Sequence, residues 1–593
     1  GIWKEVSIQP SKKNQIHDVY FVTNHIDLEN KTAELRFFID LDAEGDFMKD
    51  YSYTVEGVCG ENKFAFSEQL WHTQQQKFFT VENAQFWWPR NAGEQNLYDT
   101  KISLYYQGEL CDTYSLKLGI RTMKLERTDV TDTNGSGEFC FRVNGKKIFV
   151  LGSNWVPLDA LHSNDINRLE QALDLVEDIG CNMLRCWGGN VYESDRFFEL
   201  CDEKGILIWQ DFAMGCAVYP QEEQFAKMLE EEAVYQIKRL RNHACLALWA
   251  GDNEGDLCYM EWGRFRRDPN KNILTRRVLA QAVETHDYAR DYLPSSPYVS
   301  QAAFDMNIDL SGVVADVLPE DHLWGPRDYF KGEYYKKAFC HFASETGYHG
   351  FPSPESLHKF LKNPEQIFRE DGHPTDEYLV HASSSELDVH SDYAYRIRLA
   401  HNQVVTLFGE ASEELSEFVR QSQISQAEAK KYFIERFRVA KWKRTGIIWW
   451  NILDGWPQVS DAVVDYYFTK KLAYHYIKRS QEPVCLMFDE PTENYLSLMG
   501  VNDLSEDADV SYTVTDVLSG KKVLDGITHL RADSAQKIGE MQIAEGEKVF
   551  YLITWERDGK TYKNHYFTNI IDIDYTSYMQ ALKQCGMDEF EGF

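Results

Sequence analysis

Residues 167–212 read NRLEQALDLVEDIGCNMLRCWGGNVYESDRFFELCDEKGILIWQDF. The period of their apolar positions decides the fold. Leu169, Leu173, Leu175 and Val176 fall on one side of a helix. NMLRCWG then compresses its apolar residues into a short run that suits a buried strand. In SDRFFELCDEKG, Ser194 and Asp195 are cap candidates and Gly205 is a stop signal, which predicts a second helix. ILIWQDF is again a buried strand. Repeated strand and helix units of this length predict a parallel sheet with helices packed outside it.

The alternation extends in both directions. Upstream, KIFVLG (147–152) is a strand. Downstream come a helix through EEEAVYQIKRLRN, the strand CLALWAG and a helix over ILTRRVLAQAVETHDYARDY. YVSQAA, a segment near DHLW, AFCHFASETG and GIIWWNILD are the expected strands five to eight. A count near eight predicts a closed (β/α)8 TIM barrel over residues 123–480.

The flanks have a different texture. Residues 1–122 alternate strand-like runs with polar turns (DVYFVTNHI, TAELRFFIDL, FFTVENAQFWW, TKISLYYQG) and predict an immunoglobulin-like β-sandwich. Strands return in residues 481–593 (VCLMFDE, YLSLMGVND, SYTVTDV, KVFYLITWE, KNHYFTN) and predict a second sandwich. A chain of 593 residues is too long for one core, so this multidomain reading is the expected one.

Charge and composition narrow the partners. With 62 basic and 94 acidic residues the net charge is −32, which disfavours nucleic acid and anionic membrane surfaces. No apolar run reaches the ~18–20 residues of a membrane span. The twelve cysteines include no CxxC or His-rich metal spacing. Cys181, Cys186, Cys201, Cys216, Cys245 and Cys340 sit in apolar segments and read as core thiols, which points to a reducing compartment, the cytoplasm. Oligomeric state stays open.

In a barrel of this class chemistry gathers where the strands end. The expected ends are Ser153-Asn154-Trp155, then Arg185 to Gly189 around Trp187, then Trp209-Gln210-Asp211 and Asp252-Asn253-Glu254. Beyond them come Ser344-Glu345-Thr346 and Trp450-Asn451, with Asp454 and Trp456 further on. Two glutamates at the ends of strands four and seven suit glycoside hydrolysis, in which one carboxylic acid protonates the leaving oxygen and the other attacks carbon or activates water. Trp155, Trp209 and Trp449 read as core, as do His243 and His341. No G-x-S-x-G elbow is present. Gly188-Gly189 is too short to cradle phosphate.

The ordered motifs resemble glycoside hydrolase family two, and within it the β-mannosidase branch. FWWPRNAGEQNLYDTKISL resembles the end of that family's sandwich domain. FRVNGKKIFVLGSNWVPLDAL resembles its barrel entry, and NMLRCWGGNVYESDRFFELCDEKGILIWQDFAMGCAVYP follows the branch closely. WAGDNE is similar to W-x-G-N-N-E, FASETGYHGFPS to S-E-F-G-x-x-G-x-P, and GIIWWNILDGWPQVSDAVVDYY to the closing W-Q-L-N-D-x-W-P segment. GIWKEV resembles the last strand of the family's N-terminal jelly roll.

This resemblance implies a retaining exo-acting β-glycosidase, foremost a β-mannosidase, that needs no metal or organic cofactor. Glu254 is the implied acid/base, with a raised pKa, and Glu345 the implied nucleophile. Asn253 would bond the substrate 2-hydroxyl. Trp187, Asp211 and Trp450 would line the −1 subsite, and Arg185 would orient the nucleophile. Four positions depart from the family pattern: Asp252 for Asn, Thr346 for an aromatic residue, Asn190 for Gly and Asn451 for Gln. They bear on the sugar more than on the reaction. An exo-β-glucosaminidase of the same family is the alternative, with Asp252 as a carboxylate for an amino sugar. A non-catalytic carbohydrate-binding protein is the alternative of another class.

Overall fold

The computed structural model describes residues 4, 6–8, 10, 12–44, 48–132, 135–262, 265–308, 317–382 and 396–593. Most of the opening GIWKEV lies outside them. The chain divides into two compact units, one of residues 1–127, 140–148 and 182–301, the other of residues 128–139, 149–181 and 302–593.

The parallel strands are numbered in chain order: β1 (Val150–Trp155), β2 (Met183–Cys186), β3 (Leu207–Asp211), β4 (Leu246–Ala250), β5 (Asp291–Leu293), β6 (Glu320–His322), β7 (Phe342–Glu345) and β8 (Gly446–Trp449). They are the strands of a (β/α)8-class barrel, preceded and followed by all-β domains, which is the expected fold class. β2 to β5 belong to the first unit; β1 and β6 to β8 belong to the second.

In the first unit, strands Gln15–Asp27, Thr32–Asp42 and Gln74–Val81 form one antiparallel sheet. Asn62–Gln69, Tyr51–Cys59, Tyr98–Tyr106 and Glu109–Leu118 form a second. Alternate residues face inward, so Tyr51, Tyr53 and Val55 of one strand join Leu35, Phe37, Ile102 and Leu104 in one core. Below this sandwich run β2 to β5, in register with Met183 beside Leu207, Trp209 beside Leu248 and Leu248 beside Asp291. Helix α1 (Asp195–Lys204) starts at Ser194, whose hydroxyl accepts the Phe197 amide, and ends on Gly205 in the left-handed region. Helix α2 (Glu223–Leu240) returns the chain to β4.

One barrel strand differs from the expectation. YVSQAA is not a strand: Gln301–Asp305 is a short helix. Strand β5 lies earlier, inside the segment read as one long helix. That helix, α3 (Leu279–His286), stops because Asp287 leaves helical geometry and turns a buried carboxylate to the Trp249 indole N–H and the Tyr20 hydroxyl. Arg290 then binds the Leu246 and Arg241 carbonyls, and Pro294 cannot continue a helix. Tertiary partners overrode the helical pattern.

In the second unit β1 pairs with β8 from Val150 beside Gly446 to Ser153 beside Trp449, β8 with β7, and β7 with β6. The long helix α4 (Leu415–Val439) and helix α5 (Leu472–Ser480) pack here. The closing sandwich places Val484–Phe488, Tyr495–Asn502 and Ser534–Gln542 in one sheet, and Ala508–Asp516, Lys521–Leu530, Phe550–Arg557 and Lys560–Phe567 in the other. Leu486, Leu498, Val514, Ile553 and Trp555 fill its interior. Among the described residues, no helix is long and apolar enough to cross a membrane.

Candidate active site

In the first unit, the polar residues after β4 extend the sheet rather than leave it. The Asn253 amide donates to the Met214 carbonyl, its carbonyl accepts from Cys216 N–H, and Glu254 N–H donates to Ser296 O at 2.8 Å. This lattice holds Glu254 at φ 57°, ψ 17°. A left-handed glutamate is uncommon, and here two neighbouring segments, the loop after β3 and the stretch after β5, fix it. Glu254 is 8% exposed.

A chain of contacts leads from β2 to that carboxylate. Arg185 is fully buried, and its Nη2 reaches Asp211 Oδ2 and Asn253 Oδ1, both at 2.7 Å. Asn253 Nδ2 donates to the Cys216 sulfur at 3.3 Å, and the thiol lies 3.5 Å from Glu254 Oε2. Asp211 also accepts from Trp209 Nε1 and Gly188 N–H. Burial pushes its carboxyl up to about 6 against the pull of Arg185. Gly188 is required by space: a Cβ there would meet the Met214 carbonyl at 2.2 Å. The outer edge of the half-buried Trp187 ring lies against Gly189.

Asp252 faces the interior behind the turn. Its Oδ1 accepts from Gly255 N–H at 3.1 Å and from the Ser295 hydroxyl at 2.5 Å. Burial, reinforced by Asp256, raises its carboxyl to about 7. Asp256 is gripped by both Arg276 terminal nitrogens, at 2.8 and 2.6 Å.

In the second unit, Glu345 ends β7 and is 3% exposed. Its Oε2 accepts from Trp324 Nε1 at 2.9 Å and lies 3.4 Å from His322 Nδ1. Arg327 sits over the Trp324 ring at 4.1 Å. Asn154 Nδ2 donates to the Ser344 carbonyl, fixing β7 beside the end of β1. Trp450 N–H donates to Thr346 O, and its ring meets Trp324 edge-on at 6.2 Å. Asn451 Nδ2 donates to Leu453 O.

Of the seven candidate residues, Arg185, Trp187, Asp211, Asn253 and Glu254 therefore gather in the first unit, and Glu345 and Trp450 in the second. Trp155, Trp209 and Trp449 are buried core, as read. His341 bonds Thr131 and the Lys443 carbonyl, and His243 bonds Asp202, so both are structural. Cys216 corrects the reading of a core thiol: it is exposed, at φ 50°, on the loop after β3. Its AMGCAVYP context looked apolar, but the loop points it at Glu254. Sequence reasoning also missed His322, Trp324 and Ser295. The DHLW tetrapeptide held the signal for the first two, a His and a Trp flanking the end of a short strand.

Residues 14–121 match the family described as Glycosyl hydrolases family 2. The β-mannosidase B of Emericella nidulans is 27% identical over 82% of this chain and 56% of its own length. The β-D-mannosidase structure from Dictyoglomus thermophilum superposes with a TM-score of 0.79 at 27% identity, covering 94% of this chain and 67% of that one. The chain is similar to the β-mannosidases of glycoside hydrolase family two. An exo-chitosanase structure from Amycolatopsis orientalis shares the fold, with a TM-score of 0.68 at 18% identity, over 94% of this chain and 64% of that one. This chain spans less than three-fifths of the length of its curated β-mannosidase relatives.

Proposed function

We propose that this chain is the main part of a retaining exo-β-glycosidase acting on glycosides or oligosaccharides, foremost a β-mannosidase. The observation that carries the reading is a matched pair: each unit holds a buried glutamate at or just beyond the end of a barrel strand, in a chain similar to β-mannosidases over most of its length.

In this reading Glu345 attacks the anomeric carbon. Trp324 Nε1–H and His322 hold the carboxylate in place and limit its rotation. Glu254 protonates the departing oxygen, then takes a proton from the water that releases the sugar. The Arg185–Asn253 bond fixes the amide so that Asn253 can meet a substrate hydroxyl, with Asp211 keeping the guanidinium aligned. Trp187 and Trp450 are the proposed walls for the sugar ring. The site needs no metal or organic cofactor. The proposed division of the chain is 1–122, 123–480 and 481–593, and the buried thiols favour a cytoplasmic location.

Asp252 was the feature that kept an amino-sugar substrate open. It is 2% exposed and committed to Ser295 and Gly255, so it offers no surface carboxylate to an ammonium group. Asp252 therefore gives the alternative exo-β-glucosaminidase reading no direct contact to an amino sugar. A panel of aryl β-glycosides tests the proposal. Mannoside cleavage that disappears in Glu345→Gln, with the β-anomer released first in NMR, is the expected result. Preference for a different glycoside would overturn the sugar assignment. No cleavage of any member would favour a carbohydrate-binding protein.

A further inference from the structure

The turn that carries Glu254 is fastened from behind by one carboxyl group. Asp252 Oδ1 accepts from the amide of Gly255, so the residues on either side of Asn253-Glu254 are drawn together. The same oxygen accepts from Ser295, whose neighbour Ser296 donates its N–H to the Asp252 carbonyl and accepts the Glu254 N–H. Three of these four bonds involve Asp252. The space is closed: a Cβ on Gly255 would lie 2.1 Å from Asp252 Oδ2.

We propose that Asp252 is a positioning residue for Glu254, closing from behind the turn that aims the glutamate. This rests on Glu254 acting as the acid/base. Asparagine could accept the same two bonds through Oδ1, so geometry alone does not need an aspartate here.

Other groups face Asp252 and bear on its own charge. Asp256 opposes its ionisation, and Arg276, bound to Asp256, favours it. Tyr292, Tyr219, Tyr259 and Cys258 pack around it; burial raises all four, and the negative charge of Asp252 adds to the rise. They therefore remain neutral across the range in which Asp252 titrates.

The test compares Asp252→Asn, Asp252→Ala, Ser295→Ala and Glu254→Gln in the full chain on an aryl β-mannoside. Asp252→Asn should keep kcat within a few-fold, because its amide oxygen can accept both bonds. Asp252→Ala should lower kcat at least about tenfold with KM little changed, because the turn loses its acceptor. Ser295→Ala should do the same more weakly. Melting curves supply a readout independent of activity. A carboxyl with a raised folded-state pKa contributes stability that is whole below about pH 4 and is lost as pH rises through its folded value. The wild-type melting temperature should therefore fall relative to Asp252→Asn between pH 4 and 7. Unchanged kcat in Asp252→Ala, with Glu254→Gln inactive, overturns the inference and leaves the acid/base assignment standing. An active Glu254→Gln overturns both.

Discussion

Cys216 combines three unusual features: an exposed thiol, a left-handed backbone, and contacts to both Asn253 and Glu254. A sulfur that accepts from the amide and donates to the carboxylate links two candidate site residues through one atom. Cys216→Ala is expected to lower kcat about tenfold, or ~1.4 kcal/mol, with KM little changed. Cys216→Ser, which keeps a donor, should recover most of it. Steady-state kinetics decide, and full activity in the alanine variant removes the residue from the site. Arg185 is a different case. Its charge is buried against Asp211, so Arg185→Leu strands a carboxylate in the interior. Chemical denaturation should show a loss of about 3–5 kcal/mol, together with lost activity.

The elements place these side chains through their ends. Ser194 and Gly205 bound α1, and Ser194→Ala should cost about 1 kcal/mol in denaturant unfolding with kcat intact. Gly188 lies on the other side of the same β–α unit, where the loop crosses the Met214 carbonyl. Adding one methyl there forces the β2 and β3 loops apart. Gly188→Ala is therefore expected to reduce kcat at least about tenfold while the melting temperature falls by only a few degrees. Equal losses in the two variants would mean that loop spacing does not set the site. β5 shows how an element can be misread: ETHDYARDY continues a helical pattern, yet Asp287 and Arg290 end the helix by binding groups from the sandwich and from β4.

At the scale of the molecule, each unit joins barrel strands to a sandwich with its own core. In the first, Tyr20 of the sandwich donates to Asp287, which also holds Trp249 of β4. Arg241 reaches across to Asp18 at 2.6 Å and stacks on the Tyr20 ring. Tyr20→Phe leaves a buried carboxylate short of a donor and should lower stability by about 1–3 kcal/mol with KM unchanged. Calorimetry should show the shift in one transition, since a chain of this size need not unfold in a single step.

The strand and helix alternation, the two sandwich flanks and the glutamates at strand ends were legible in the sequence, because each is a local pattern. Apolar period records which face is buried, and a polar residue interrupting a buried run marks an edge. Ser194 and Gly205 were legible for the same reason, since caps depend on neighbours three or four residues away. The loop that brings Cys216 to Glu254, the Ser295 hydroxyl behind Asp252, and the Trp324 and His322 partners of Glu345 were not. Those contacts join residues 21 to 43 positions apart, and no local period encodes them. Only the fold decides which of several polar side chains meets a given carboxylate, and that choice determines where its proton is held.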